Sequence, residues 1–475
     1  MGLEIDRTEF AEGDFVRFRA RAQAELALLQ SVERRGGLSR AGFVVGFELE
    51  AWLVDHGLVA APINEAYLAA LADPLVVPEL SRFNVELNGT PCALGGEAFS
   101  TLAAELTRTW RRCLAVSHGM DAALVLIGIL PTIRQSDLVL ANVSALRRYA
   151  ALNREIVRLR GGRPIVLDID GDEPLRLTHA DVMLEAATTS FQVHLQVPAP
   201  LAVRFYNASL IASAPVLAAA TNSPFLFGHR LWHETRIPLF EQAVATDARP
   251  TPPERRRVSF GSGYLRESIT EHFADALAHF PVLLPFEVSE PTERFAHLRL
   301  HNGTLWHWNR PLIGFDTDGT PHVRIEHRVL PAGPSLLDML ANAAFYVGLA
   351  SGLGMLGRPP ENDLPFSTAR ANFLAAARHG MDAEIIWLDG KARPARALLL
   401  AELLPIARQG LRAQDVQRDE IDRWLDIIEQ RVRTGRTGSV WQRQWVAQRG
   451  PAFQRMLADY LEHQRSGAPV AEWPA

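Results

Sequence analysis

The stretch GFELEAWLVD, residues 46–55, alternates in the sense of a β-strand: Val45, Phe47, Leu49, Ala51 and Leu53 fall on one face, Glu48 and Glu50 on the other. The same pattern recurs in four more segments. In RFNVELNG, Val85 and Leu87 oppose Asn84, Glu86 and Asn88; in SFQVHLQV, residues 190–197, Phe191, Val193, Leu195 and Val197 oppose Gln192, His194 and Gln196. HLRLHNG sets Leu298 and Leu300 against His297, Arg299 and His301, and HVRIEHRVL sets Val323, Ile325 and Val329 against Arg324, Glu326 and Arg328. Helical spacing replaces this alternation elsewhere. Phe15, Phe18, Ala22, Leu26 and Leu29 predict a helix that ends at Gly36 and Gly37. A second helix is expected over Ser144–Arg160, with Leu146, Ala150, Ile156 and Val157 inward and arginines 147, 148, 154, 158 and 160 on a solvated face.

From about residue 365 the pattern is almost wholly helical, as in Ile421, Trp424, Leu425, Ile428 and Val432. Strands that alternate in period two, without the continuous apolar runs of parallel sheets, predict an α+β fold with a mainly antiparallel sheet. The expected organisation is a catalytic core over residues 1–360, with an N-terminal helix, and a helical C-terminal region over 361–475 packed on it.

The charge balance, 49 basic against 54 acidic residues for a net of -5, has no basic excess that would suit nucleic acid or an anionic membrane. Two cysteines, Cys92 and Cys113, are too few for a disulfide framework and are expected to be buried thiols in a reducing cytoplasm. The apolar run AALVLIGILPTI, residues 122–133, is broken by Pro131 and falls short of the ~20 residues that cross a bilayer. The opening MGLEIDRTEF lacks the basic-then-apolar order of a secretory signal. These features predict a cytoplasmic protein with small-molecule partners, without nucleic acid or membrane, and they are compatible with a homo-oligomer. PTPPERRR, residues 250–257, is expected to be an exposed loop.

Any antiparallel sheet with one wet face alternates as these strands do. What distinguishes them is the choice of polar residue: Glu, His, Gln, Asn and Arg, with no Ser, Thr or Lys among the residues named. If the strands are neighbours, Glu48, Glu50, Glu86 and Glu326 share a concave surface with His194 and several arginines. Close carboxylates repel unless a cation, a proton or an arginine stands between them. Hard oxygen donors with one imidazole suit Mg²⁺ or Mn²⁺, and arginines beside such ions match phosphate oxygens, which together imply a nucleoside triphosphate. No GxxxxGK[ST] loop, GxGxxG fingerprint, HExxH or GxSxG motif occurs. Histidines 297, 301, 307, 322 and 327 raise a zinc-hydrolase reading, although their spacing defines no full ligand set, and structural or surface roles are expected for them.

GFELEAWLVD with PINEAYL, TNSPFLFGHRLW, LWHWNRP, RIEHRV and ARHGMDAEIIWLDGKARPA, in this order, resemble the glutamate–cysteine ligase family of the carboxylate-amine ligase type, from about residue 43 to about 410. The resemblance implies a glutamine synthetase-like fold: a curved antiparallel sheet with the active site on its concave face and helices on the outer face. It also implies ATP, Mg²⁺ (or Mn²⁺), and γ-glutamyl amide formation through an acyl phosphate. By the same resemblance Glu48, Glu50, Glu86, Glu326 and His194 hold metal ions, and Arg328, His194 and Gln192 meet the nucleotide. Arg328 and His194 assist catalysis, while Arg310, Arg324 and Arg299 hold a substrate carboxylate. Two departures from the family pattern, LPAGPS after the Glu-x-Arg strand and Asn309 in the WNRP segment, leave the acid and the amine open.

Overall fold

The computed structural model describes residues 4–246 and 252–474. Chain order gives β1 (Val44–Val54), β2 (Val76–Pro78), β3 (Asn84–Asn88), β4 (Cys92–Ala93) and β5 (Ala123–Val125). A hairpin of β6 (Ile165–Ile169) and β7 (Leu175–His179) precedes β8 (Phe191–Val197), and a short hairpin of β9 (Phe225–Leu226) and β10 (His229–Arg230) precedes β11 (Asn309–Phe315) and β12 (Pro321–His327). The eight-stranded sheet runs β11-β12-β8-β1-β3-β2, with β4 and β5 also paired to β1. Every pairing in it is antiparallel. The sheet curls into an antiparallel half-barrel, the curved mixed helix-and-sheet fold expected.

Four of the five alternating segments are strands of this one sheet, and their apolar faces all point the same way. Val45, Leu49, Ala51, Val85, Leu87, Phe191, Val193, Leu195, Val323 and Ile325 are buried together. The helices Ala202–Ala218 and Leu336–Gly354 contact the sheet and lie in the same core. The helical spans Ala199–Ala218 and Leu336–Gly354 are long and apolar enough to cross a membrane, yet 83% of each apolar window is buried inside the protein, so burial accounts for their composition.

HLRLHNG departs from expectation: residues 296–302 form a helix, Ala296–Asn302, in which only Arg299 is exposed. Two leucines at period two in a seven-residue window cannot separate a strand from a buried helix. The deciding contact is distant in sequence. Glu25, on the first helix (Glu12–Arg34), accepts the Leu298 backbone N–H at 2.7 Å and meets His297 Nδ1 at 2.7 Å, satisfying an orphan donor in the opening turn. The strand next to β12 is instead the WNRP segment, β11.

The helix predicted from Ser144 begins at Arg147 and ends at Leu159, with Tyr149, Ala151, Glu155 and Ile156 buried and Ala150 exposed. Its arginines do not form one solvated face, because Arg160 is buried against backbone carbonyls of Arg163 and Ala245. Residues 250 and 251 of PTPPERRR lie outside the described residues. Arg257 of that stretch is buried, donating to the Thr304 carbonyl. Cys113 is buried and Cys92 only half-buried.

The C-terminal helices pack into the same core. Helix Leu404–Ala413 crosses Leu336–Gly354 where Gly348 and Gly352 meet Ala407 and Gly410; a Cβ on Gly348 would lie 2.6 Å from the Ala407 carbonyl oxygen. Such a contact with backbone cannot be relieved by a side-chain rotation. Helix Arg418–Thr434 adds a buried ion pair, Arg431 to Asp338 at 2.7 Å. We predict that Gly348→Ala lowers unfolding free energy by about 1–3 kcal/mol in chemical denaturation. Gly119→Ala, at a helix end with open space around it, should change it little.

Candidate active site

Cross-strand register assembles the polar face. Glu50 of β1 stands opposite Glu86 of β3, Glu48 opposite Gln192 of β8, His194 opposite Glu326 of β12, and Glu326 opposite Arg310 of β11. Of these, Glu48, Glu50, Glu86, Gln192, Arg310 and Glu326 line a cavity of about 320 Å³. Its walls come from the helix Arg147–Leu159, the turn Val182–Ala187, the helix Ala296–Asn302 and the segment around Trp306.

The carboxylates divide into two sets instead of sharing one. Glu50, Glu79 and Glu86 offer oxygens that all lie within 4.8 Å of one another, and Glu48, His194 and Glu326 form a second group on the same criterion. Glu79 was not foreseen. It follows β2, a strand of three residues and too short to show alternation.

The two sets differ electrostatically. In the second, Arg310 grips Glu326 with two parallel hydrogen bonds of 2.9 Å, and Arg328 lies 3.1 Å from the same carboxylate. Burial alone would raise the Glu326 pKa, but Arg310 and Arg328 hold it at about 2. Burial likewise opposes ionisation of Glu48, and the neighbouring His194 and Arg328 bring it well below the usual carboxylate range. The first set has no comparable cationic grip. Burial and the Glu79 charge push Glu50 up to about 7 against the pull of Arg328, and burial with the Glu48 and Glu79 charges pushes Glu86 well above its ordinary value. Glu50 is held rigidly in this state: Ser190 donates through N–H (2.6 Å) and Oγ (2.9 Å), and Gln192 through Nε2 (3.0 Å).

Three oxygen donors around unrelieved negative charge fit a hard divalent cation, so Glu50, Glu79 and Glu86 could hold Mg²⁺ or Mn²⁺. The second set also fits one, with a qualification on His194. Arg324 Nε donates to His194 Nδ1 at 3.3 Å, so the neutral ring carries its proton on Nε2, 3.4 Å from Glu48. In that tautomer His194 is a donor, suited to a carboxylate or phosphate oxygen; binding a cation through Nε2 requires the proton to move.

Other expected roles shift. Arg310 does not present its fork to the cavity: two donors go to Glu326 and another two bonds go to the Asn302 and Leu305 carbonyls, at 3.1 and 2.8 Å. It positions Glu326, and the expectation that it holds a substrate carboxylate is corrected. Arg324 and the exposed Arg299 both line the cavity and retain that capacity. Arg328 bonds Gln192 Oε1, while its buried Nε has no hydrogen-bond partner among the described residues. The helix and turn contribute Arg148, Tyr149 and Glu185 to the lining, which no strand pattern could reveal.

The remaining histidines are dispersed. His297 meets Glu25, His301 the Ala276 carbonyl, His322 Asp316, and His307 packs edge-on to His272; His327 bonds Asn309 and stacks on Tyr346. None joins a metal-ligating set among the described residues, which removes the basis of the zinc-hydrolase reading. The two sequence departures also lie outside the cavity lining. Asn309 is fully buried, bonded to His327 and to Ser213 of the helix Ala202–Ala218, and Ser335 of LPAGPS caps the helix Leu336–Gly354 through the Asp338 N–H. Both serve packing.

A family model described as glutamate-cysteine ligase family 2 matches residues 44–459. The chain belongs to this family. It is an ATP-dependent ligase of the glutamate–cysteine ligase type. No curated protein matches it at a significant level. Among solved structures the fold is similar to a glutamate–cysteine ligase from Francisella tularensis in complex with AMP, at 13% identity and TM-score 0.58, covering 92% of this chain and 91% of that one. It is also similar to a bifunctional glutathione synthetase from Pasteurella multocida, at 10% identity and TM-score 0.50, covering 93% of this chain and 55% of that longer one.

In this family member the acidic set should link stability to pH. Because the folded state raises Glu50 from 4.5 to about 7, it binds more protons than the unfolded chain between those values, so stability falls as pH rises. The expected slope in metal-free protein is up to about 1.4 kcal/mol per pH unit for each extra proton. Thermal unfolding between pH 5 and 7 should show the decline, Mg²⁺ should oppose it, and Glu50→Gln should flatten it. An unchanged slope in that variant would place the buried charge elsewhere.

Proposed function

We propose that the protein uses ATP to join a carboxylic acid to an amine, with glutamate as the first acid and cysteine as the first amine to be tested. The product is a γ-glutamyl amide, formed through an acyl phosphate with release of ADP and phosphate. One observation carries this reading: two carboxylate sets and the cavity-lining arginines Arg324 and Arg328 share a single cavity on the sheet. The similarity to an enzyme solved with AMP supports nucleotide binding in that cavity.

Glu50, Glu79 and Glu86 on one side, and Glu48 and Glu326 on the other, would hold Mg²⁺ or Mn²⁺. Such ions neutralise phosphate charge when bound. Arg328 is oriented by Gln192 and Glu326, and offers its unpartnered Nε to the oxygens of the transferring phosphoryl group. His194 donates from Nε2 to a phosphate oxygen. Arg324 and Arg299 pair with a carboxylate of the acid and set its reactive carboxyl toward the terminal phosphorus.

A carboxylate oxygen then attacks that phosphorus, and ADP leaves with the electrons of the broken P–O bond. The amine nitrogen attacks the acyl carbon, phosphate departs with the electrons of the C–O bond, and the nitrogen loses a proton. No covalent enzyme nucleophile is needed. A ligase that joins another acid or amine by the same steps is the second reading, favoured by the carboxylate of Glu185 beside Leu152 and Ile156 in the cavity lining, which suit an amine with an apolar substituent. The reading keeps the protein in the cytoplasm, with small-molecule partners and without nucleic acid or membrane.

Phosphate release from ATP should require both an acid and an amine, and a panel of each identifies the pair. Glu326→Gln and Arg328→Lys should each lower kcat/KM by roughly 10²-fold or more, since a preorganised charged donor contributes about 3 kcal/mol to such a transition state. Near-normal turnover in either variant would remove that residue from the phosphoryl-transfer machinery.

A further inference from the structure

The cavity is polarised. Arg324 and Arg299 stand toward the β11–β12 side, whereas Glu50, Glu79 and Glu86 gather at β1–β3–β2. Glu185, in the turn Val182–Ala187, lines the same cavity and is not a member of either metal-ligating set. Among the described residues no hydrogen bond or ion pair meets its carboxylate. A partly buried acid directed at a cavity and left without a partner is costly to the free protein and suits a cationic ligand.

Its surroundings say which kind. Val182 N–H donates to Asn153 Oδ1 at 3.2 Å, which docks the turn on the helix Arg147–Leu159. That helix presents Leu152 and Ile156, one turn apart, to the cavity beside Val182 and Ala186 of the turn. A carboxylate at the edge of an apolar wall matches an ammonium group carried on an apolar body.

Resting on the ligase reading, we propose that Glu185 binds the second substrate, a primary amine with an apolar substituent, through its ammonium group, with Leu152, Ile156 and Val182 against the substituent. Glu185 then takes one proton from the ammonium, so that the nitrogen lone pair attacks the acyl carbon and phosphate leaves with the C–O electrons; this first proton ends on Glu185 Oε, and the second proton shed by the nitrogen goes to the departing phosphate. In the metal-free protein burial and the Glu79 charge push the Glu185 pKa up to about 8.

Hydroxylamine separates this role from the rest of the site. Uncharged near neutral pH, it captures an acyl phosphate as a hydroxamate without needing a carboxylate to hold an ammonium. With ATP, Mg²⁺ and the preferred acid, Glu185→Gln should form hydroxamate within about threefold of the wild-type rate. Its KM for the amine should rise at least 30-fold, and Glu185→Asp should recover part of that loss. Equal loss of hydroxamate and amide in a folded Glu185→Gln protein would assign Glu185 to metal or nucleotide binding and overturn the proposal. Unchanged KM for the amine in Glu185→Gln would overturn it too. If wild-type protein forms neither hydroxamate nor ADP with any acid, the ligase reading itself falls and takes this one with it.

Discussion

Antiparallel pairing of β1 with β3 places Glu50 directly opposite Glu86, and much of the site follows from having to live with that pair. Carboxylates this close, inside a cavity and joined by Glu79, cannot all be ionised without a counter-charge. The protein supplies only part of one from Arg328. Ser190 and Gln192 hold Glu50 in place regardless, so the geometry persists while the charge is left to be settled by protons or a cation. A surface under that tension takes up a proton readily and could equally accommodate a hard divalent ion.

The opposite half of the sheet solves the same problem internally. Arg310 closes on Glu326 bidentately, and Arg328 adds a second cation, so this carboxylate is ionised well below neutral pH. The arrangement fixes Arg328 as much as it fixes Glu326. Gln192 links the two halves by donating to Glu50 and accepting from Arg328, which makes a strand residue of no obvious chemistry the hinge between the acidic and the basic ends. Small errors in the β8 register would therefore disturb both ends together.

What could be read from the chain was whatever the period-two pattern encoded: four strands, their shared polar face, and Glu48, Glu50, Glu86, His194, Glu326 and Arg328 upon it. Resemblance then gave those positions a chemistry that alternation alone could not. Residues outside regular strands escaped. Glu79 follows a three-residue strand, Glu185 sits in a 3₁₀ turn, and Arg148 was hidden in a helix whose arginines looked uniformly solvated. HLRLHNG was misread because the contact that makes it a helix, Glu25 on the Leu298 N–H, comes from a helix more than 250 residues earlier. Arg310 was recognisable as a residue of the site but not by its role, since its partners are backbone carbonyls and a cross-strand acid.

The departures at Asn309 and in LPAGPS invited the thought that the substrate pockets had changed. Both are on the packed side, where Asn309 ties His327 to the helix Ala202–Ala218 and Ser335 starts the helix Leu336–Gly354. Differences there adjust how the sheet seats on its helices, not what the cavity recognises. On the proposed reading selectivity comes from Arg324 of β12 together with groups outside the sheet: Arg299 on one helix, Leu152 and Ile156 on another, and Glu185 in the turn. Because the helix and turn groups lie on elements separate from the strands, they can vary while the floor of carboxylates and arginines stays constant, which is what the proposed reading requires of a sheet that serves ligases with different acids and amines.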